Sequence, residues 1–506
     1  SVTDAEDGSS KALMMFTDVG LNLGDGLMTL SDGNGALIRN ESGLAGKVSG
    51  SIGLQVEGLS LSGDLTVELN TIKNDQGKIE AVSESVRSGN KIIDLNVGAQ
   101  SFAVTGEGVL IEAGGARIQT DVVITSELEG DQDYLNVSAE KLSLGFGGTD
   151  TDPIIGLKVD SANFKFYEDG AVAQVEEIVP VLNLSGVNLF SGPHQDDAKL
   201  DLHFNTRTTD YIHEAEKTVE GVTSSVKTTV KANVVQLLNS DRSAGVKLAL
   251  EVLGQRIEGN FTFEQVVDPV TEARTVKASV ENLNTRFGAD QAHVELIDGD
   301  GLFLFMDSGI AAKANGTLQL SAGSDLSIEG DLSLKINTSG SAVSETFSRG
   351  ISNTELELPA GPYFRLEGQS VALIIADQEI RGNLFFEEIT RDEIRTVLIG
   401  GSDLSMSFGD EQQEIFSVSK GSGYFLLRDD GFAGTARANA ALNVSDVSVS
   451  GNFEIEINRT GSKVEEKFKA NGLDQEIDLK KEGPYTRVVA TNASMEFAGQ
   501  SMSGNF

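Results

Sequence analysis

The chain has 506 residues, with 77 Asp and Glu against 39 Lys and Arg, for a formal net charge of −38. It contains 56 glycines and 7 prolines, and neither cysteine nor tryptophan. This composition excludes disulfides and thiolate metal sites, and the charge argues against nucleic acid as a partner because phosphate binding needs basic patches. No run of 18 apolar residues occurs, so the sequence predicts no transmembrane helix.

One short pattern returns along the chain. Segments 63–70, 330–337 and 451–458 all read Gly-Asp/Asn-Phe/Leu-x-Ile/Val/Leu-x-Ile/Leu-Asn, and the last two begin 121 residues apart. A fixed period indicates one structural unit that is repeated. Four Leu/Phe-Gly pairs mark the starts of the units, so the chain reads as an excerpt of a longer array. The predicted segments are the end of a preceding repeat at 1–22, repeat 1 at 23–145, a divergent repeat 2 with an insertion at 146–286, repeat 3 at 287–407 and a truncated repeat 4 at 408–506.

Alternation of apolar and polar residues predicts long, half-buried strands. It runs from Leu59 to Leu69 and recurs at 326–336 and 447–457. A two-residue hairpin turn at Gly63-Asp64 would place Leu61 opposite Thr66, which is apolar against polar. We therefore predict a single strand of about 11 residues that bends or bulges at Gly63. A three-residue loop, Ser62-Gly63-Asp64, is the alternative.

Small residues recur in the middle of neighbouring strands. In 44–54, 310–320 and 432–442 the inward positions carry Ala or Gly between larger apolar residues. This pattern predicts that two sheets approach closely or that one sheet curls tightly. Segment 219–238 has valines at helical spacing but is rich in β-branched residues, so helix and strand both stay open there. Turns are expected at the acidic glycine clusters 168–170, 298–301, 307–309 and 428–431.

These patterns predict an all-β fold. We expect tandem repeats of about 121 residues, each built from long antiparallel strands, that form an elongated continuous β-structure. The alternative is a string of β-sandwich domains, although no proline-rich linker separates the repeats.

Calcium is the cofactor that the acidic, glycine-rich segments favour, because it takes six to eight oxygen ligands from carboxylates and carbonyls. The candidate ligands are Asp298 with Asp300, their earlier copy Asp32, and the pair Asp150 and Asp152. The position that matches Asp298 in the next copy is Lys420, which argues against a site in every repeat. Solvated acidic turns are the simpler interpretation.

Other chemistry has weaker support in the sequence. His194 lies near Asp196 and Asp197, and His203 and His213 follow in the same repeat, so a transition-metal site is conceivable there. Solvated histidines, with His293 as the fourth, are the simpler interpretation. No nucleophile elbow, HExxH motif or P-loop occurs, so the sequence predicts no enzyme.

The period of about 121 residues, the acidic cysteine-free composition and the Gly-Asp/Asn signature resemble the repeat regions of very large bacterial surface proteins and adhesins. The resemblance implies an extracellular, cell-surface protein of many repeats, often rigidified by calcium, that serves as a stalk, filament, surface layer or adhesion arm. The expected partners are other copies, neighbouring repeats of the same giant chain, or a cell-surface or matrix ligand.

Two other functions stay open. Long strands with one apolar face would also suit a lipid-conducting β-groove, which needs an inner face too wide to fill itself. A carbohydrate-processing enzyme on a β-solenoid is the third alternative, and no cluster of aromatic and carboxylate residues supports it. A dry core favours the structural role, whereas an open trough favours the groove.

Overall fold

The computed structural model describes most of the chain. The described residues are all except 1, 5–9, 24–25, 55, 57–58, 89, 101, 114–115, 130–131, 150, 192–195, 220–221, 241, 243–244, 269, 289–292, 322–325, 350–351, 376–377, 392–393, 411–412, 445–446, 471–472 and 506. Within them the regular structure is β-strand and no α-helix occurs. The predicted all-β class is confirmed.

Long strands dominate the chain order. The first twenty are β1 Val2–Asp4, β2 Ser10–Leu23, β3 Met28–Asn40, β4 Gly43–Leu54, β5 Leu59–Ser62, β6 Asp64–Asn70, β7 Val82–Ser88, β8 Lys91–Val97, β9 Phe102–Ala113, β10 Ala116–Glu129, β11 Gln132–Phe146, β12 Ile155–Tyr167, β13 Gly170–Ile178, β14 Pro180–Leu182, β15 Val187–Ser191, β16 Asp196–Asp197, β17 Leu200–Asn205, β18 Tyr211–Val219, β19 Val222–Val230 and β20 Val234–Asn239. The others are β21 Leu248–Val252, β22 Gln255–Val267, β23 Arg274–Gly288, β24 His293–Met306, β25 Gly309–Ser321, β26 Leu326–Glu329, β27 Leu332–Asn337, β28 Val343–Arg349, β29 Ser352–Leu358, β30 Tyr363–Ile375, β31 Gln378–Arg391, β32 Ile394–Asp410, β33 Gln413–Arg428, β34 Gly431–Val444, β35 Val447–Asn458, β36 Val464–Ala470, β37 Leu473–Leu479, β38 Tyr485–Phe497 and β39 Gln500–Gly504.

The chain divides into two compact units. Unit 1 consists of Ser1–Asn183, Asp196–Val246 and Thr262–Lys277, and unit 2 of Leu184–Gln195, Lys247–Phe261 and Ala278–Phe506. The predicted repeat boundaries are defined by the period of the sequence, whereas the two units are defined by compactness. The units therefore do not test the repeat boundaries, which stay a prediction.

Each unit contains an antiparallel sheet with the same internal period. In unit 1 the neighbours run β6-β9-β10-β11-β12-β13-β17. In unit 2 they run β27-β30-β31-β32-β33-β34-β35. The first path takes six pairings from β6, which carries the signature, to β17, which ends in the same way as the signature, with an apolar residue and an asparagine. The second path takes six pairings from signature strand β27 to signature strand β35. An even number of antiparallel steps returns the strand direction, so successive signature strands point the same way.

The signature glycine bends a long strand, as predicted. β5 and β6 pair in succession with β9, and the interruption between them falls at Gly63. Gly330 separates β26 from β27 in the same manner, and both of these short strands pair with β30. At Gly451 the strand β35 is continuous, with a register shift between Ser450 and Asn452. The reading through the glycine is confirmed, and no hairpin forms there.

One predicted turn is wrong. Segment 298–301 lies inside β24 as a bulge, where the register against β25 shifts between Ile297 and Asp300. Asp298 takes a φ of +50° there, and the equivalent residues Asp32 and Lys420 take +53° and +54°. The glycines after them suggested a chain reversal, but an alternating strand tolerates such a bulge without reversing. The turns predicted at 168–170, 307–309 and 428–431 are present.

Two open questions from the sequence have answers in the structure. Residues 222–230 and 234–239 are strands, so β-branching outweighed the helical spacing of the valines. For segment 432–442 the small inward residues lie in one curling sheet, because neighbouring strands β31 to β35 line a single small apolar cavity that Ala436 and Ala438 of β34 help to form.

Candidate functional site

In the part of the chain that the structure describes, four small β-hairpins stand outside the main sheets. Each one interrupts the connection between two neighbouring antiparallel strands: β7–β8 between β6 and β9, β18–β19 between β17 and β20, β28–β29 between β27 and β30, and β36–β37 between β35 and β38. One hairpin lies in each of the predicted repeats 1 to 4. We call the hairpin and the asparagine that precedes it the hairpin module.

The base of each hairpin is closed by a fully buried asparagine at the end of the preceding strand: Asn70, Asn205, Asn337 and Asn458, all 0 % exposed. The Asn337 side-chain nitrogen donates to the carbonyl oxygens of Ser341 and Pro359, at 2.9 and 2.7 Å, and its oxygen accepts the Ser339 backbone N–H at 2.9 Å. The same three bonds join Asn70 to Glu80, Gly98 and Ile72, Asn205 to Thr209, Val230 and Arg207, and Asn458 to Ser462, Lys481 and Thr460. One asparagine therefore holds both ends of a hairpin.

We call this hydrogen-bonded asparagine the latch. A glycine on a neighbouring strand makes room for it. Gly43, Gly170, Gly309 and Gly431 begin β4, β13, β25 and β34 with φ between +134° and +151°. A Cβ at Gly43 would lie 2.5 Å from the carbonyl oxygen of Thr71, the residue after the asparagine. A Cβ at Gly431 would meet the carbonyl oxygen of Arg459, which also follows its asparagine, at 2.5 Å. A Cβ at Gly309 would meet the hydroxyl of Thr338, and one at Gly170 would meet the backbone nitrogen of Arg207, two residues after Asn205. These glycines are required both by backbone conformation and by close approach.

Each hairpin covers apolar residues on the outer face of a main sheet. Under β36–β37, the buried residues Leu398, Leu426 and Ala433 pack against Ile477 and Leu479. Under β28–β29, Leu304 and Ala311 pack against Phe347 and Leu356, and β7–β8 covers Ala36, Ile38 and Ala45 similarly. The hairpin of repeat 2 differs, because Tyr211 packs against a cluster of Tyr134, Tyr167 and Val172. The main strands beneath the hairpins are therefore buried on both faces.

The sequence contains signs of this module that its alternation alone did not reveal. Asn205 ends Leu200-Asp201-Leu202-His203-Phe204-Asn205, a fourth copy of the signature without its glycine. Where a hairpin covers the sheet, alternation gives way to runs of apolar residues such as Phe303-Leu304-Phe305. Such runs are typical of strands buried on both faces.

The predicted calcium ligands lie on exposed bulges and loops. Asp298 and Asp300 are exposed on β24, and the Asp298 backbone N–H donates to Asn284 at 3.2 Å. Asp300 lines a cleft of about 600 Å³ beside hairpin β28–β29, together with Glu281, Glu355 and Lys313, and Asp298 does not line it. Asp32 is exposed on β3 and its carbonyl accepts a bond from Asn34.

The second predicted pair falls partly outside the description. Asp150 is not among the described residues. Asp152 is exposed in the loop between β11 and β12, where its backbone N–H donates to the Thr149 hydroxyl at 3.1 Å. Among the residues that the structure describes, no group of three or more His, Asp or Glu side chains is arranged to hold a metal ion.

The histidines occupy separate positions. His194 lies outside the described residues. His203 is on β17, opposite Gln174 and Gln236, and burial holds its pKa below the ordinary value, against the opposing effect of Asp201. His213 is on hairpin strand β18. His293 is the first residue of β24 and lies beside Arg286 of β23 and Glu295 of its own strand.

The inner faces of the sheets are filled by large apolar side chains. In unit 1, Phe164 and Phe204 meet edge to face with ring centroids 5.4 Å apart, and in unit 2 Phe261 and Phe303 do the same at 5.4 Å. All four are fully buried. The enclosed apolar cavity of unit 2 measures about 80 Å³ and is lined by residues that include Leu384, Leu404 and Phe425.

No protein-family model matches this chain, and no curated protein matches it. No helix in the described part of the chain is long and apolar enough to cross a membrane. The fold establishes an all-β protein, and any proposal about its function depends on the chain's own residues.

Proposed function

We propose that this chain is a structural and adhesive segment of a large extracellular repeat protein, and that its repeats build a stalk, a filament or a surface layer. The observation that carries the proposal is the hairpin module, which occurs four times with the same three hydrogen bonds of one buried asparagine. A module repeated on a sheet that can be extended strand by strand sets length and stiffness.

Charge and composition support the same role. A net charge of −38 keeps long molecules soluble and mutually repelled. The absence of cysteine makes the fold independent of disulfide formation. Partners would be neighbouring repeats, further copies of the chain, or a cell-surface or matrix ligand.

The test is small-angle X-ray scattering of the purified chain. A compact 506-residue domain has a radius of gyration of about 23 Å. In a flat sheet, six strands spaced about 4.8 Å apart advance about 29 Å. An array of several such periods must therefore have a radius of gyration clearly larger than that of the compact domain. A radius near the compact value would reject the stalk or filament.

The lipid-conducting β-groove is the alternative, and the wholly apolar cavity of unit 2 is the observation in its favour. Its volume of about 80 Å³ is well below the roughly 300–1,000 Å³ of typical ligand pockets, which weighs against a lipid chain. Native mass spectrometry of the purified chain tests this alternative, because co-purified lipid would support the groove against the structural role.

A further inference from the structure

Each hairpin carries a titratable residue on the side that faces its sheet. It is the third residue of the first hairpin strand, on the same side as the first residue, which packs against the sheet: Glu84 on β7, His213 on β18, Glu345 on β28 and Glu466 on β36. Lys11 of β2 donates to Glu84 at 2.9 Å, and Arg428 of β33 donates to Glu466 at 3.1 Å. In these two modules a carboxylate therefore ties the hairpin to a cation of the main sheet.

Repeat 2 has a histidine in place of that carboxylate. Tyr211 and His213 are half-buried, whereas Ile212 and Glu214 are exposed, and Glu214 pairs with Lys227 on that outer side. The histidine therefore lies on the sheet-facing side of hairpin β18–β19, with its ring centroid 6.5 Å from that of Tyr211. The strands of the other three hairpins contain no histidine. Among the described hairpins, only this one has a sheet-facing side chain of the type that titrates near neutral pH.

A second histidine lies on the sheet near this hairpin. His203 is on β17, two residues before the latch Asn205, so both side chains project from the outer face. Its neighbours across the sheet are the uncharged Gln174 and Gln236. His203 is near enough to His213 for the charge of one histidine to act on the other. Protonation of both would therefore place two like charges between the hairpin and the sheet.

The groups around His203 act on its protonation in both directions. Burial is the largest effect and opposes the charged form, and Arg242 and His213 act in the same sense. Asp201 on the same strand and Glu176 on β13 favour the charged form. Burial prevails and holds the pKa of His203 below the ordinary value for histidine. The neutral imidazole is therefore the form that fits the closed hairpin.

Two cations of the sheet lie at the aromatic contact of this hairpin. The Lys165 Nζ is 5.6 Å from the Tyr211 ring centroid, and Arg207 is paired with Asp169 at 2.7 Å. The Asp169 carboxylate is therefore already engaged. A proton on His213 would add positive charge on the side of the hairpin where the Lys165 ammonium lies, which opposes closure.

We propose that hairpin β18–β19 is an acid-operated lid, which lifts from the outer face of its sheet when His203 and His213 are protonated. The latch does not titrate. Asn205 keeps its hydrogen bonds to the carbonyls of Thr209 and Val230, so the base of the hairpin serves as the hinge. The lid goes beyond the array role and does not depend on it.

The direction of the response follows from proton linkage. A histidine whose pKa is lowered in the closed state binds more protons once the hairpin opens. Closure is therefore complete above about pH 6.5, the ordinary pKa of histidine, and is lost as the pH falls below it. Carboxylates ordinarily titrate near pH 4, so a response at mildly acidic pH separates the histidines from the acidic residues.

The experiment is hydrogen exchange of the full chain, measured by mass spectrometry at pH 7 and pH 5, which bracket the titration of histidine. The rates are corrected for the intrinsic dependence of exchange on pH. The protection factor of peptides from β18 and β19 falls about tenfold at the lower pH, which corresponds to a pKa displacement of about one unit. Protection of the hairpins β7–β8, β28–β29 and β36–β37 stays the same, because their strands contain no histidine.

Two variants assign the response to the histidine pair. The double variant His203→Gln with His213→Gln has equal protection of β18 and β19 at both pH values, because neither glutamine titrates. His293→Gln, which changes a histidine of unit 2, keeps the wild-type response. Equal protection at the two pH values in the wild-type chain, an equal loss in all four hairpins, or a loss that persists in the double variant would overturn the proposal. None of these results affects the array role, which scattering tests separately.

Discussion

At the scale of single residues, the latch requires an amide. Each buried asparagine donates two hydrogen bonds from its side-chain nitrogen to carbonyl oxygens, and its side-chain oxygen accepts one from a backbone N–H. The site therefore needs both a donor and an acceptor on one side chain. An aspartate has the same shape, but its ionised carboxylate only accepts hydrogen bonds and offers no donor to either carbonyl, and its charge would be buried beside their oxygens. Buried polar groups without partners cost about 1–3 kcal/mol, and charged ones cost more.

The prediction is that Asn458→Asp destabilises unit 2 by at least about 2 kcal/mol at neutral pH, because two carbonyls lose their donor and a carboxylate is buried. Urea denaturation followed by circular dichroism measures the loss. Asn452→Asp is the matched control, since Asn452 is exposed on the same strand and adds the same charge. Equal stability of the two variants would contradict the latch.

The latch also shows what the sequence can reveal about a residue. The final asparagine of the signature recurs at Asn70, Asn337 and Asn458. Its hydrogen-bond partners are not visible there, because Asn458 bonds both Ser462, four residues away, and Lys481, 23 residues away. The alternation identifies position 458 as the end of a strand, and only the folded hairpin supplies the second carbonyl.

At the scale of elements, the hairpins explain why some strands lose their polar face. Hairpin β36–β37 covers Leu398 and Leu426, and both are 0 % exposed.

The glycine that bends β5–β6 and the turns at 168–170, 307–309 and 428–431 were predictable from alternation and turn chemistry, which are local. The bulge at Asp298 was not, because a glycine cluster favours a turn and a bulge equally until a partner strand sets the register.

We predict that Ile477→Ala loosens hairpin β36–β37 by about 2–5 kcal/mol, because it leaves a cavity among well-packed residues. Ile477 is fully buried against the sheet. Peptide-level hydrogen exchange should show faster exchange in β36 and β37 than in the wild type, while β33 and β34 change less. Glu465→Ala, on the exposed face of the neighbouring hairpin strand β36, should leave exchange unaltered. Uniform acceleration across unit 2 would instead mean that the hairpin is not a separate module.

At the scale of the whole molecule, the net charge of −38 dominates its response to ions. Any salt screens the self-repulsion, whereas an ordered calcium ion adds binding energy to the folded state. Candidate ligands Asp298 and Asp300 are both exposed at the bulge of β24, where backbone carbonyls are additional oxygen donors.

The calcium proposal therefore predicts a melting temperature that is higher in millimolar calcium than in sodium chloride of equal ionic strength, and that falls again with EGTA. Differential scanning calorimetry measures both changes. Asp300→Asn should remove the calcium-specific part and keep the part caused by screening. If calcium and sodium stabilise the chain equally at matched ionic strength, the acidic bulges are solvated surface and hold no ion.

The amino-acid sequence alone determined the all-β class, the long strands, the bend at Gly63 and the recurrence of one asparagine-ended strand. These follow from period-two alternation and turn chemistry, which act between residues close in the chain. Only the tertiary structure decided that the asparagines close hairpins and that the hairpins bury the outer face. Those features depend on strand register and on partners far apart in sequence, which no local pattern encodes.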